Sequence, residues 1–147
     1  MFLAVGLWAA RLFAAETATS ATVFEGNLLR IRVEYLAENF AAQLTSFQPT
    51  NKLVGTVLDL RFADGDNRAV EPALRWLSGL RSPLVILVNG KTRAAAADLA
   101  LRLRAMKAGI VIGSTNASGK VPPDVTVTVG LDEEKEYQDN PLSLIHI

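Results

Sequence analysis

Ser82 to Ile112 reads SPLVILVNGKTRAAAADLALRLRAMKAGIVI, and this stretch decides the fold class. Leu84 to Val88 is a short apolar run between Ser82-Pro83 and Asn89-Gly90, both turn formers, so it reads as a buried strand. Arg93 to Lys107 holds neither glycine nor proline and is alanine-rich at its start, so it reads as a helix. Ala95, Leu99, Leu103 and Met106 fall on one helical face. Asp98 precedes Arg102 by one turn, in the order that favours an ion pair. Gly109 ends the helix, and Ile110-Val111-Ile112 reads as the next buried strand. Strand, helix, strand at this spacing is a βαβ unit, whose crossover is right-handed and whose strands are parallel.

Working towards the N-terminus, Leu53 to Leu60 (LVGTVLDL) is another buried-strand candidate, running into Asp59-Leu60-Arg61 and a loop at Ala63-Asp64-Gly65-Asp66-Asn67. Pro72 fits only the first turn of a helix, so a helix is predicted to start between Asn67 and Glu71, with Val70, Leu74 and Leu77 on its inner face. Leu28 to Val33 reads as a strand, Tyr35 to Leu44 as a short helix on the spacing of Leu36, Phe40 and Leu44, and Gln48 to Asn51 as a turn. Thr17 to Thr22 is small and polar and reads as a linker. The expected fold is therefore α/β with a mostly parallel sheet.

The composition narrows the chemistry. Half of the 147 residues are hydrophobic, one domain's worth of core. Acidic and basic residues balance, 15 against 15, and no basic block with interleaved aromatics appears, so nucleic acid is not an expected partner. There is no cysteine, and His146 is the single histidine, which removes disulfides, thiolate chemistry, histidine triads and two-histidine metal sites. Any hydrolytic base must be a lysine, a carboxylate or a hydroxyl. Met1 to Ala15 is apolar except for Arg11. It fits a secretory signal or an amphipathic segment of a longer protein equally well, and it is too short and interrupted for a firm membrane span. Leu142 to Ile147 looks like a translated adapter, an artefactual tail on which no function is built. The expected organisation is a leader and linker over 1–22, a domain over 23–141 and the tail over 142–147.

In sheets of this kind, sites gather at the carboxyl ends of the strands. Those ends carry Asp59-Leu60-Arg61 with its glycine loop, Asn89 to Arg93, and Gly113-Ser114-Thr115-Asn116-Ala117-Ser118-Gly119-Lys120. The last is not a phosphate-binding loop: it has one residue too many between its glycines, and Val121 follows the lysine where Ser or Thr is needed. Asp64 and Asp66 read as turn acids rather than metal ligands, Asp59 and Arg61 as a structural ion pair, and Asp132 to Glu136 as a solvated helix face.

In order, Asp59-Leu60-Arg61, Val88-Asn89, Thr92 to Ala97, Gly113, Gly119-Lys120 and Pro122-Pro123-Asp124-Val125-Thr126-Val127 resemble the core of the C-terminal-processing (tail-specific) serine–lysine peptidases, from about Gly26 to Pro141. The resemblance implies a layered βαβ superhelix of the ClpP/crotonase-like type rather than a Rossmann sheet. It also implies export to the cell envelope or periplasm, no cofactor or metal, and a partner that is an extended peptide or protein C-terminus. In that family the first serine of a Thr-Ala-Ser-Ala-Ser-Glu turn is the nucleophile and a later lysine is its base. Here the nucleophile position is Ala94, and Ala96 and Ala97 replace the second serine and the glutamate. Lys120 is the candidate base, displaced by the extra residue before it. The oxyanion region corresponds to Gly65, Asp66 and Ala95, with Asp66 in place of a glycine. The expected function is a catalytically dead member that binds extended peptides or acts as a scaffold. The alternatives are an active serine endopeptidase using Ser118 or Thr92 with Lys120, and a purely structural domain of a longer envelope protein.

Overall fold

The computed structural model describes residues 19–45, 52–114 and 119–139. Six strands form the main sheet: β1 (Thr19–Phe24), β2 (Leu28–Val33), β4 (Gly55–Asp59), β6 (Leu84–Val88), β7 (Ile110–Ser114) and β8 (Val125–Val127), adjacent in that order. Among the described residues only the β1–β2 pair is antiparallel; every later pairing is parallel. Two short strands, β3 (Tyr35–Leu36) and β5 (Asp64–Gly65), pair in a small sheet of their own. The helices are α1 (Phe40–Thr45), α2 (Val70–Ser78) preceded by a 3-10 turn, α3 (Ala94–Ala105) and α4 (Leu131–Asp139).

Each parallel strand is added on the same side of its predecessor, so right-handed crossovers carry α1, α2 and α3 onto one face. Strand side chains alternate between faces, and Leu29, Ile31, Val33, Leu58, Ile86 and Val111 point to the helices and are buried. From the helices, Phe40, Leu44, Leu77, Leu99 and Leu103 close this core. Each fully buried leucine contributes about 1.5–3 kcal/mol relative to an exposed one. The opposite face is covered differently. Arg30 and Arg32 alternate with the core residues of β2 and meet Tyr137 of α4, which is buried.

Three readings change. Thr19 to Thr22 is strand, not linker: Thr19 and Ala21 turn inward and are buried, and residues this small gave no hydrophobic signal. Leu36, Phe40 and Leu44 are all fully buried as their spacing implied, but the helix begins only at Phe40. Tyr35 and Leu36 are instead drawn into pairing with Asp64 and Gly65, a contact no local pattern announces. Met106 lies beyond the end of α3 and is 53% exposed, because the chain leaves the helix there and Lys107 takes φ 57°. Arg102 keeps its Nε 3.9 Å from Asp98 and makes its closer ion pair with Glu71 of α2.

Candidate functional site

The carboxyl end of β6 is organised by one buried side chain, Asn89. Its Oδ1 accepts hydrogen bonds from the backbone N–H of Phe62 (3.1 Å) and of Lys91 (3.1 Å), tying the loop after β4 to the turn before α3. Thr92 reinforces the tie: its hydroxyl donates to the Leu60 carbonyl (2.7 Å) and accepts from the Asn89 N–H (3.1 Å). Thr92 is buried and does not cap α3, whose N-cap position is Arg93. The Thr92 proton is thus committed to the Leu60 carbonyl, and its surface is buried.

Ala94 follows in a left-handed conformation, φ 51°, exposed at the first position of α3. A non-glycine residue costs about 1–2 kcal/mol in that region. Strand, tight turn and a strained exposed first helical residue together form an elbow, the geometry that lifts a nucleophile clear of its surroundings and backs it with the amides of a helix N-terminus. Here the elbow presents a methyl group. Ala95, Ala96 and Ala97 behind it are buried and serve as packing positions.

Gly65 and Ala95 are brought together: a Cβ added to Gly65 would lie 3.2 Å from that of Ala95 and 2.6 Å from that of Leu36. Only glycine lets β5 approach so closely. The amides expected at an oxyanion are otherwise engaged. Gly65 N–H donates to Asp64 Oδ1 (2.7 Å) and Asp66 N–H to the Leu36 carbonyl (2.9 Å). The Asp66 carboxylate caps the 3-10 turn at the Arg68 N–H and pairs with the Arg68 guanidinium at 2.7 Å. Those hydrogen bonds, side chain first and backbone second, hold its carboxyl below the usual range. Asp64 reaches Arg93 Nε at 2.9 Å. Both loop acids thus face arginines, and no cluster of potential metal ligands occurs among the described residues.

Lys120 is exposed. Its neighbour Gly119 sits on the Asn89–Gly90 turn, where an added Cβ would be 3.2 Å from the Asn89 carbonyl oxygen. The loop before it, with Ser118, lies outside the described residues, as do Met1 to Ala15 and His146. Beside the elbow, a cavity of about 370 Å³ is lined by Phe62, Gly90, Lys91, Arg93 and Gln138. Phe62 at its edge is also left-handed, φ 63°, held there by Asn89.

Asp59, expected as an ion pair with Arg61, is fully buried and accepts from both Arg61 (2.9 Å) and Arg30 (3.0 Å). Arg61 lies flat on Tyr137, 3.4 Å from the ring centroid, and Arg30 also donates to the Tyr137 hydroxyl. Sequence reasoning missed Asn89 and Tyr137. An asparagine before glycine looks like a simple turn, and a tyrosine within an acidic helix gives no hint of its partners.

No protein-family model matches the chain, and a search of curated proteins gives no match. Among solved structures, the photosystem II D1 C-terminal processing protease matches with TM-score 0.54 at 20% identity, over 80% of this chain and 46% of that one. A lipoprotein from Streptococcus agalactiae matches with TM-score 0.60 at 12% identity, over 82% and 69%. The class this defines is an α/β fold like that of a C-terminal processing protease, with a mostly parallel sheet. The chain spans about 46% of that protease's length, and at this identity the likeness is one of fold.

Proposed function

We propose that this chain is a catalytically inert relative of the C-terminal-processing peptidases, built on their crotonase-like superhelix, that binds an extended peptide in the cleft beside Ala94. The observation that carries the reading is the elbow itself. Ala94 keeps a strained, exposed, helix-terminal backbone but has no atom that can attack a carbonyl. The engaged amides of Gly65 and Asp66 point the same way, since an oxyanion needs free donors. The neighbouring cavity, with Lys91 and Arg93 on its wall, suits a chain end that carries a carboxylate.

The test is fluorescence anisotropy with labelled peptides ending in a free carboxylate, against the same peptides amidated. Saturable binding that weakens on amidation and on Arg93→Ala is expected. Equal binding of both forms, or none, contradicts the proposal.

A further inference from the structure

The sheet face opposite α1–α3 carries a second cavity, of about 310 Å³, between the carboxyl ends of β6–β8 and helix α4. Its walls are aliphatic, chiefly Leu87, Ile112, Val127 and Val129. Leu87 pairs with Ile112, and Ser114 with Val127, so strand alternation puts all four side chains on this one face. Two polar atoms interrupt the apolar lining. Ser114, only 7% exposed, has an Oγ without a hydrogen-bond partner among the described residues, and Glu134 Oε1 is likewise buried and unpaired among them. Buried polar atoms are normally satisfied, so two in one cavity ask for an explanation. Arg61, which also lines the cavity, does not supply it: its Nε and Nη2 are turned to Asp59 and its plane to Tyr137.

We propose that this cavity is a binding site for an aliphatic primary amine. The Glu134 carboxylate and Ser114 hydroxyl accept hydrogen bonds from the ammonium, and the aliphatic walls take the hydrocarbon stem. An ammonium has three donors and no acceptor, which matches a carboxylate and a hydroxyl as acceptors. The cavity is at the small end of the range of ligand pockets, about 300–1,000 Å³, and has room for a short branched stem. A carboxylate ligand is disfavoured, because it would set a second negative charge against Glu134. The ammonium can belong to a free amine or to a lysine side chain.

The experiment is titration calorimetry on the whole chain with 3-methylbutylammonium, 3-methylbutanol, 4-methylpentanoate and N-acetyl-lysine methylamide. Saturable binding of the free amine, the lysine derivative or both is expected, tighter than the alcohol and much tighter than the carboxylate. Glu134→Gln should weaken it about tenfold, and Ser114→Ala less. Val127→Phe, on the solvent-exposed edge strand, should abolish it by filling the cavity. Circular dichroism of each variant separates lost binding from lost fold. Absence of amine binding, equal binding of the carboxylate, or amine binding unchanged in folded Glu134→Gln or Val127→Phe overturns the proposal.

Discussion

At the scale of single residues, Ala94 combines two features that rarely coexist without a reason. It has a side chain, and it occupies a backbone region that favours residues without one. Glycine there would release about 1–2 kcal/mol of strain, offset by about 0.4–1 kcal/mol of extra unfolded-state entropy. Ala94→Gly should therefore raise stability by roughly 0.5–1 kcal/mol, read as a higher urea midpoint at unchanged slope. A fall in the midpoint would mean that the elbow is not strained. Asp124 makes a pH prediction. Its Oδ2 accepts from the Val111 N–H (2.9 Å) and its Oδ1 from Arg104 Nε (2.8 Å), and these hydrogen bonds, the backbone one first, hold its carboxyl below the ordinary range. A carboxyl depressed in the folded state stabilises it above the unfolded value, about 3.9, and that stability is lost as pH falls through the lower folded value. Asp124→Asn should thus cost stability at neutral pH and narrow the gap from the parent protein below about pH 4. Urea midpoints across that range test it, and a constant gap would show that the charge is not what matters.

At the scale of elements, α4 is the informative case. Its acidic run is exposed except for the half-buried Glu134, and its hold on the sheet centres on Tyr137, the buried residue of the helix. Tyr137 is surrounded by Arg30, Arg32 and Arg61, and Asp59 is their only fully buried counter-charge among the described residues. Tyr137→Ala should cost about 3–5 kcal/mol, as other large aromatic truncations do. It should also speed amide exchange over residues 131–139 more than over α3. Uniform acceleration across both helices would instead mean that α4 unfolds only with the whole domain. The strands β4, β6 and β7 and helices α2 and α3 were legible in the sequence, because runs such as Leu84 to Val88 and the alanine-rich start at Ala94 leave little competition between local preference and tertiary demand. β1 and β3 were not. Thr19 and Ala21 are too small to signal burial, and Tyr35-Leu36 become strand only because Asp64-Gly65 lie beside them.

At the scale of the whole molecule, the mostly parallel strand order agrees with what the alternation of strands and helices implied, and the fold is like that of a C-terminal processing protease. The order of strand ends was enough to nominate Ala94, Gly65 and the Asn89-Gly90 turn as candidate positions. Its hydrogen-bond accounting was not. That Gly65 and Asp66 spend their amides on Asp64 and Leu36, and Thr92 its proton on Leu60, follows from three-dimensional neighbours that no spacing rule encodes. Catalytic inertness is tested by labelling with a fluorophosphonate serine-hydrolase probe, with cleavage of an unfolded protein followed in parallel, for the parent chain, Ala94→Ser and Lys120→Ala. A catalytically inert parent chain gives no labelling and no cleavage. Labelling or cleavage by the parent chain that disappears in Lys120→Ala would contradict it, and would mean that another hydroxyl has taken over the nucleophile's role.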